Sequence, residues 1–237
     1  VTTPLTSRQV FFAFPRISDP ARHHDYNAWH QLDHRPENLA LPGVVHGDRW
    51  VRSPDCAAAG QAPSPLLSSF HYLAMYWFAE PASRSIEEWK ALGESTRRAG
   101  RRPDLAYTTR PLLGFFRPLR GVVHPRAGIS AAALPFRPHR GVHVTVTDPQ
   151  GADPPDLAQV LELDGVLGGW TFDSEAVSAE GLDGTRRPLS ASLRVTLYYL
   201  DRDPVAFAPP PTTGELLLSS PLRTIEPWRW TWFEEAR

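Results

Sequence analysis

Short apolar runs, two amphipathic stretches and proline-rich loops alternate along the chain. Val10 to Phe14 is an apolar run of strand length. Asp19 to Leu39 places Ala28, Leu32 and Trp29 to one side among polar residues, which predicts a helix ended or bent by Pro36. Val44 to Arg52, after the Pro42-Gly43 turn, and Phe70 to Ala79 read as strands. Ser85 to Arg98 reads as a helix, with Ser85 as its cap and Glu87 and Glu88 in its first turn. Leu112 to Val123 returns as a strand. The order is strand, helix, strand, strand, helix, strand.

The remainder can be laid over this pattern. Gly141 to Thr147 alternates like a strand, and Pro155 to Leu163 reads as a short helix. Asp164-Gly165-Val166 followed by Trp170-Thr171-Phe172 echoes Pro42-Gly43-Val44 followed by Arg49-Trp50. Ser192 to Asp203 ends in Asp203-Pro204 as Phe70 to Glu80 ends in Glu80-Pro81. Trp228 to Phe233 is expected to close the set as a strand, and Pro209 to Pro211 stand where a second helix would lie. Prolines number 25 and cluster in loops; the cluster between Arg120 and Arg140 marks a boundary. The expected division is residues 1–123, a linker 124–140, and residues 141–237.

A unit of this order forms an antiparallel sheet with both helices on one face. Two such units bury their bare faces against each other, and a sandwich or closed barrel with a cavity between the sheets follows. Matching Pro81 with Pro204 pairs His71, Leu73 and Met75 with Arg194, Thr196 and Tyr198, and the more polar set is expected to face the cavity. His143, Thr145 and Thr147 are expected there too, with Val142, Val144 and Val146 under helices. Tyr72, Ala74 and Tyr76, matched with Val195, Leu197 and Tyr199, are assigned to helix packing.

Composition narrows the function. The chain of 237 residues is 41% hydrophobic and 22% charged, which is globular. Its net charge of -1 gives no bulk field for nucleic acid or an anionic membrane. No apolar run approaches the roughly 20 residues of a membrane helix. No basic stretch leads into an apolar one after Val1, so a cytoplasmic location is expected. Cys56 is the single cysteine, which excludes an internal disulfide. Lys90 is the single lysine, and Asn27 and Asn38 are the two asparagines. Phosphate loops and nucleophile elbows are absent, so flavin and nicotinamide find no support.

The segment from Trp29-His30 through His34-Arg35-Pro36 to Leu41-Pro42-Gly43, followed by Arg49-Trp50, resembles the EthD-like branch of the dimeric α/β-barrel superfamily. The resemblance rests on an aromatic residue, a His-x-Pro near a helix end, a Pro-Gly turn and an Arg-aromatic pair. It implies an α+β fold of two tandem ferredoxin-like units, a pseudo-dimer within one chain. The motif is kept in the first unit and lost in the second.

The expected function is cofactor-independent acid–base chemistry of cyclase, isomerase or lyase type. The substrate would be a small hydrophobic, aromatic or polyketide-like molecule in the barrel cavity. His34 is the first choice for proton exchange, because imidazole titrates near neutral pH. His30 or His71 would assist, and Arg49 would stabilise negative charge. Trp50, His46, Met75, His143 and Tyr198 are expected to contact the substrate. A metal is not expected: His30 and His34 lie four apart but lack the glutamate of His-Glu-x-x-His. The alternatives are a haem-binding barrel with His143 as axial ligand, or a non-catalytic ligand-binding protein. A monomer with an internal pseudo-dimer and a homodimer both fit.

Overall fold

A computed structural model describes residues 7–102, 106–189, 192–226 and 229–233. Its dominant feature is a closed barrel of eight antiparallel strands. These are β1 (Gln9–Ala13), β2 (Val44–Val51), β3 (Tyr72–Phe78) and β4 (Thr108–Val123), then β5 (Gly141–Asp148), β6 (Val166–Glu180), β7 (Arg194–Leu200) and β8 (Glu215–Thr224). Their hydrogen-bonded order is β4-β1-β3-β2-β8-β5-β7-β6, and β6 pairs back onto β4. The last four strands thus repeat the order of the first four. Two seams join the halves. The β4–β6 seam runs from Arg110 opposite Glu180 to Val123 opposite Gly168, whereas β2 and β8 pair only at Val51–Arg223 and Trp50–Thr224.

The barrel interior is solid. Phe12, Trp77, Phe116, Trp170 and Phe172 meet there edge to face, with ring centroids 5.1–5.4 Å apart. Leu73, Val142, Val144, Val146, Val195, Leu197 and Tyr199 belong to the same buried cluster. An eight-stranded barrel is just wide enough for its own side chains. The interior cavity expected from the sequence is therefore filled.

The expected facing holds in β3, where Leu73 and Met75 point inward with Trp77, but it is inverted in β5 and β7. There the valines, Leu197 and Tyr199 fill the core, while Tyr198 packs outside with Leu157, Val160 and Phe207. Met75 of β3 sits opposite Phe12, and the corresponding pair in the second half is Leu197 opposite Val144. The offset between β3 and β7 is thus one residue less than the proline match implies. In a strand one residue exchanges the two faces.

Among the described residues every α-helix belongs to the first half of the chain. Between β1 and β2 a continuous helix comprises α1 (His23–Trp29), a π-helical turn (His30–His34) and α2 (Arg35–Leu39). A short α3 (Pro54–Ala59) follows β2, and α4 (Ala82–Arg98) links β3 to β4. α4 starts one turn before the expected Ser85, which instead donates to the Ala79 carbonyl from a buried position. In the second half the expected helix at Pro155 to Leu163 reduces to a 3-10 turn at Gln159–Glu162.

The closing strand is Glu215–Thr224, not Trp228 to Phe233. Pro221 hides it in the sequence. Ser219 directs its N–H away from β5 to the Gln61 carbonyl, and the Pro221 nitrogen points to the same side, where β2 does not pair. Proline breaks no ladder bond there. Trp228 lies outside the described residues. Trp230 and Phe233 pack on α1, with Phe233 stacked 4.0 Å from the His23 ring.

Candidate functional site

The helix carrying His30 and His34 widens where the two histidines lie. Pro36 has no N–H, and its ring crowds the carbonyl four residues back. The preceding turn opens to accommodate it, with the Arg35 N–H reaching the His30 carbonyl. Such π turns inside helices recur at functional sites. The widening also moves the buried stripe to Tyr26, Asn27, His30 and Asn38, and leaves Leu32, expected inward, half-exposed.

Between this helix, α4 and the outer face of the sheet lies a cavity of about 290 Å³. Its floor is Phe11 and Ala13 of β1, Ala74 and Tyr76 of β3, and Leu113 and Phe115 of β4. One wall is Tyr26, Trp29, His30, His34 and Asn38; the other is Trp89, Lys90, Gly93 and Glu94. Arg102, Arg110 and Arg186 complete the lining. Gly47 of β2 lets the helix close over the sheet: a Cβ there would come within 2.6 Å of the Tyr76 ring.

His34 stacks on Trp29 at 4.6 Å and meets His30 edge to face at 4.9 Å. Its Nε2 lies 3.1 Å from Asn38 Nδ2, which also reaches the Tyr76 hydroxyl at 3.2 Å. Burial, with the charges of Arg102, Arg49 and Arg110, lowers the His34 pKa to about 3. Burial, then Arg49 and His34, holds His30 well below its ordinary value, and its Nδ1 has no hydrogen-bond partner among the described residues. Both imidazoles are neutral at pH 7. Burial lowers Arg110 to about 10 and lowers Arg102 as well.

Asn38 occupies Nε2 of His34 and leaves Nδ1 without a protein partner among the described residues. With the amide nitrogen toward the ring, Nδ1 carries the proton and can donate it. With the amide turned over, Nε2 donates to the amide oxygen and Nδ1 is a free base. One asparagine rotation thus exchanges the two tautomers of the neutral ring and makes Nδ1 a donor or an acceptor.

The other expected residues lie elsewhere. Arg49 sits behind the cavity wall, its guanidinium about 5 Å from the Tyr26 and Tyr72 ring centroids. It donates to Asn27 Oδ1 at 3.2 Å and Gln31 Oε1 at 3.4 Å, and forms no carboxylate pair among the described residues. Its charge reaches the histidines, but it does not line the cavity. His71 accepts from the Ile17 N–H at 3.0 Å and lines a separate pocket with His23, Pro54 and Phe233. Trp50 and Met75 are core filling, both fully buried, with Trp50 donating to His139 and Met75 Sδ accepting from Trp77. His46 packs on Phe136 at 4.5 Å, away from the site. Tyr198 and His143 face outward in the second half beneath Phe207. The filled barrel accounts for Trp50 and Met75, and the one-residue slip for Tyr198.

His143 does not fit a haem ligand: its Nε2 is held by Ser219 Oγ at 2.8 Å and its ring is covered by Phe207. Among the described residues no group of three or more His, Cys, Asp or Glu is placed to hold a metal. No described helix is long and apolar enough to cross a membrane.

Sequence reasoning missed Asn38, Trp89, Arg102, Arg110 and Arg186. One signal was present: both asparagines of the chain are buried, and each bonds a tyrosine of β3, Asn27 to Tyr72 and Asn38 to Tyr76. The arginines carried no signal in a chain so rich in them.

No protein-family model and no curated protein matches the sequence. Among solved structures the chain is similar to one described as an anthrone oxidase-like protein. That likeness has 12% identity and a TM-score of 0.55, over 95% of this chain and 94% of the other. At that identity it establishes the fold.

Proposed function

We propose that this chain is a cofactor-independent acid–base enzyme of cyclase, isomerase or lyase type, acting on a small aromatic or polyketide-like molecule. The reading places it in the EthD-like branch as two tandem ferredoxin-like units, with the repeated strand order and the His-x-Pro segment as support. The site is the sheet–helix cavity of the first half, not the barrel interior.

One observation carries the proposal. A pair of neutral imidazoles lines an aromatic-walled cavity with three arginines beside them. Tyr26, Trp29, Tyr76, Trp89 and Phe115 suit a planar ring. With the Asn38 amide turned so that its oxygen accepts from Nε2, His34 Nδ1 takes a proton from an acidic C–H; the electron pair moves onto the conjugated oxygen; the neighbouring arginines stabilise the enolate. The imidazolium then returns the proton to carbon or oxygen. The low pKa makes free His34 a weak base, and the anion forming beside it raises that basicity. The similar structure described as anthrone oxidase-like agrees with an aromatic substrate bearing such a C–H.

Hydrogen–deuterium exchange at the methylene of anthrone, followed by NMR without oxygen, tests the proposal. The protein should accelerate exchange, and His34→Ala should lower the rate about 10²–10⁴-fold. A folded His34→Ala protein with undiminished exchange overturns the assignment.

A further inference from the structure

The cavity opens into a second, wider space. A groove of about 820 Å³ is bounded by Arg97, Thr108 and the hairpin of Gly181 to Gly184. Arg102, Arg110 and Arg186 line both spaces and stand at their junction. β4 supplies Arg110, the segment after α4 supplies Arg102, and the strand pairing with the far end of β6 supplies Arg186. The second half of the chain therefore completes a site built mainly by the first.

The junction carries excess positive charge. Glu180 is shared by Arg110 and Arg186, whose Nε is 2.6 Å from it. Glu94, on the cavity wall, is taken up by Arg97 at 2.6 Å. Asp183 bonds the Thr185 hydroxyl and N–H. Arg102 has no ion pair to a described carboxylate, although it is half-buried; Arg186 and Arg97 act on it, and Glu94 is the one carboxylate whose charge reaches it without a bond. A cation held among cations at the mouth of an aromatic cavity is unfavourable until an anion joins it.

We infer that the ligand of this site is an aromatic acid. Its planar ring occupies the closed cavity, and its carboxylate sits at the junction on Arg102, supported by Arg186. Guanidinium groups present paired donors that match a carboxylate. This inference rests on the cavity taking an aromatic molecule, and it does not require His34 to be catalytic.

Calorimetric titration of the full chain with anthracene-2-carboxylate and with anthracene-2-carboxamide tests it. The rings are alike and the charges differ. The acid should bind about 10–100-fold more tightly than the amide, the ratio expected of a charge-assisted bond. Arg102→Gln should remove that preference while leaving amide affinity unchanged, and added salt should reduce it. Arg186→Gln, at a largely exposed position, should reduce the preference without disturbing the fold. Equal affinities in the native protein, equal weakening of both ligands by Arg102→Gln, or no binding of either at 1 mM (about −4 kcal/mol) overturns the inference. His34→Ala should retain the acid preference. If it does so with proton exchange undiminished, the catalytic reading falls and the ligand class stands.

Discussion

Buried neutral histidines should make this protein sensitive to mild acid. His23, His30 and His143 are each no more than 5% exposed. Burial lowers His23 to about 4 and His143 to about 3, and holds His30 well below its ordinary range. In the unfolded chain each titrates near about 6.5. Between these values the unfolded state binds more protons than the folded one, so stability falls as pH falls. From pH 7 to pH 5 His23 and His143 each remove about 2 kcal/mol, and His30, His34, His46 and His71, lowered likewise by burial, add to the loss, a large part of the 5–15 kcal/mol typical of a folded protein. Urea unfolding at pH 7, 6 and 5 reads this directly. His143→Gln, able to keep a bond to Ser219, should shrink the loss by about 2 kcal/mol, the share of that one histidine. A loss under about 2 kcal/mol by pH 5 would refute the reasoning. So would a loss confined to the more acid range in which carboxylates protonate.

Two substitutions separate the core from the site. Phe12→Ala, in the filled barrel, should cost about 3–5 kcal/mol in denaturant unfolding and leave ligand affinity at the outer cavity unchanged. Gly47→Ala should push the Tyr76 ring aside and disturb its bond to Asn38, so proton exchange should fall more than stability does.

The first half was legible because its punctuation is strong. Pro42-Gly43 and Glu80-Pro81 bracket strands whose outer faces meet helices, and the His-x-Pro segment led to the two histidines that line the cavity. The second half was less legible for a physical reason. β5 and β7 are buried on both faces, by the core inside and by Leu157, Val160 and Phe207 outside, so solvent imposes no alternation there. Expecting a cavity inside the barrel placed the polar residues His143 and Thr145 inward. Simple hydrophobicity, with Val142, Val144 and Val146 inside, gives the observed facing. Arg110 and Arg186 lie 76 positions apart and meet only through Glu180, by way of the long β4–β6 seam. No local pattern announces such a meeting.

That seam also bears on how the chain can be divided. A fragment ending at Val123 would expose the free edges of β2 and β4 and the bare aromatic surface of Phe12, Trp77 and Phe116. It would also lose Arg186 from the site. Among the described residues the second half carries no α-helix and no histidine pair, yet it serves as keystone to the first. Two copies of one strand order are unequal partners, one bearing the helix-walled cavity and the other bracing it, an asymmetry closed to any ring of identical subunits.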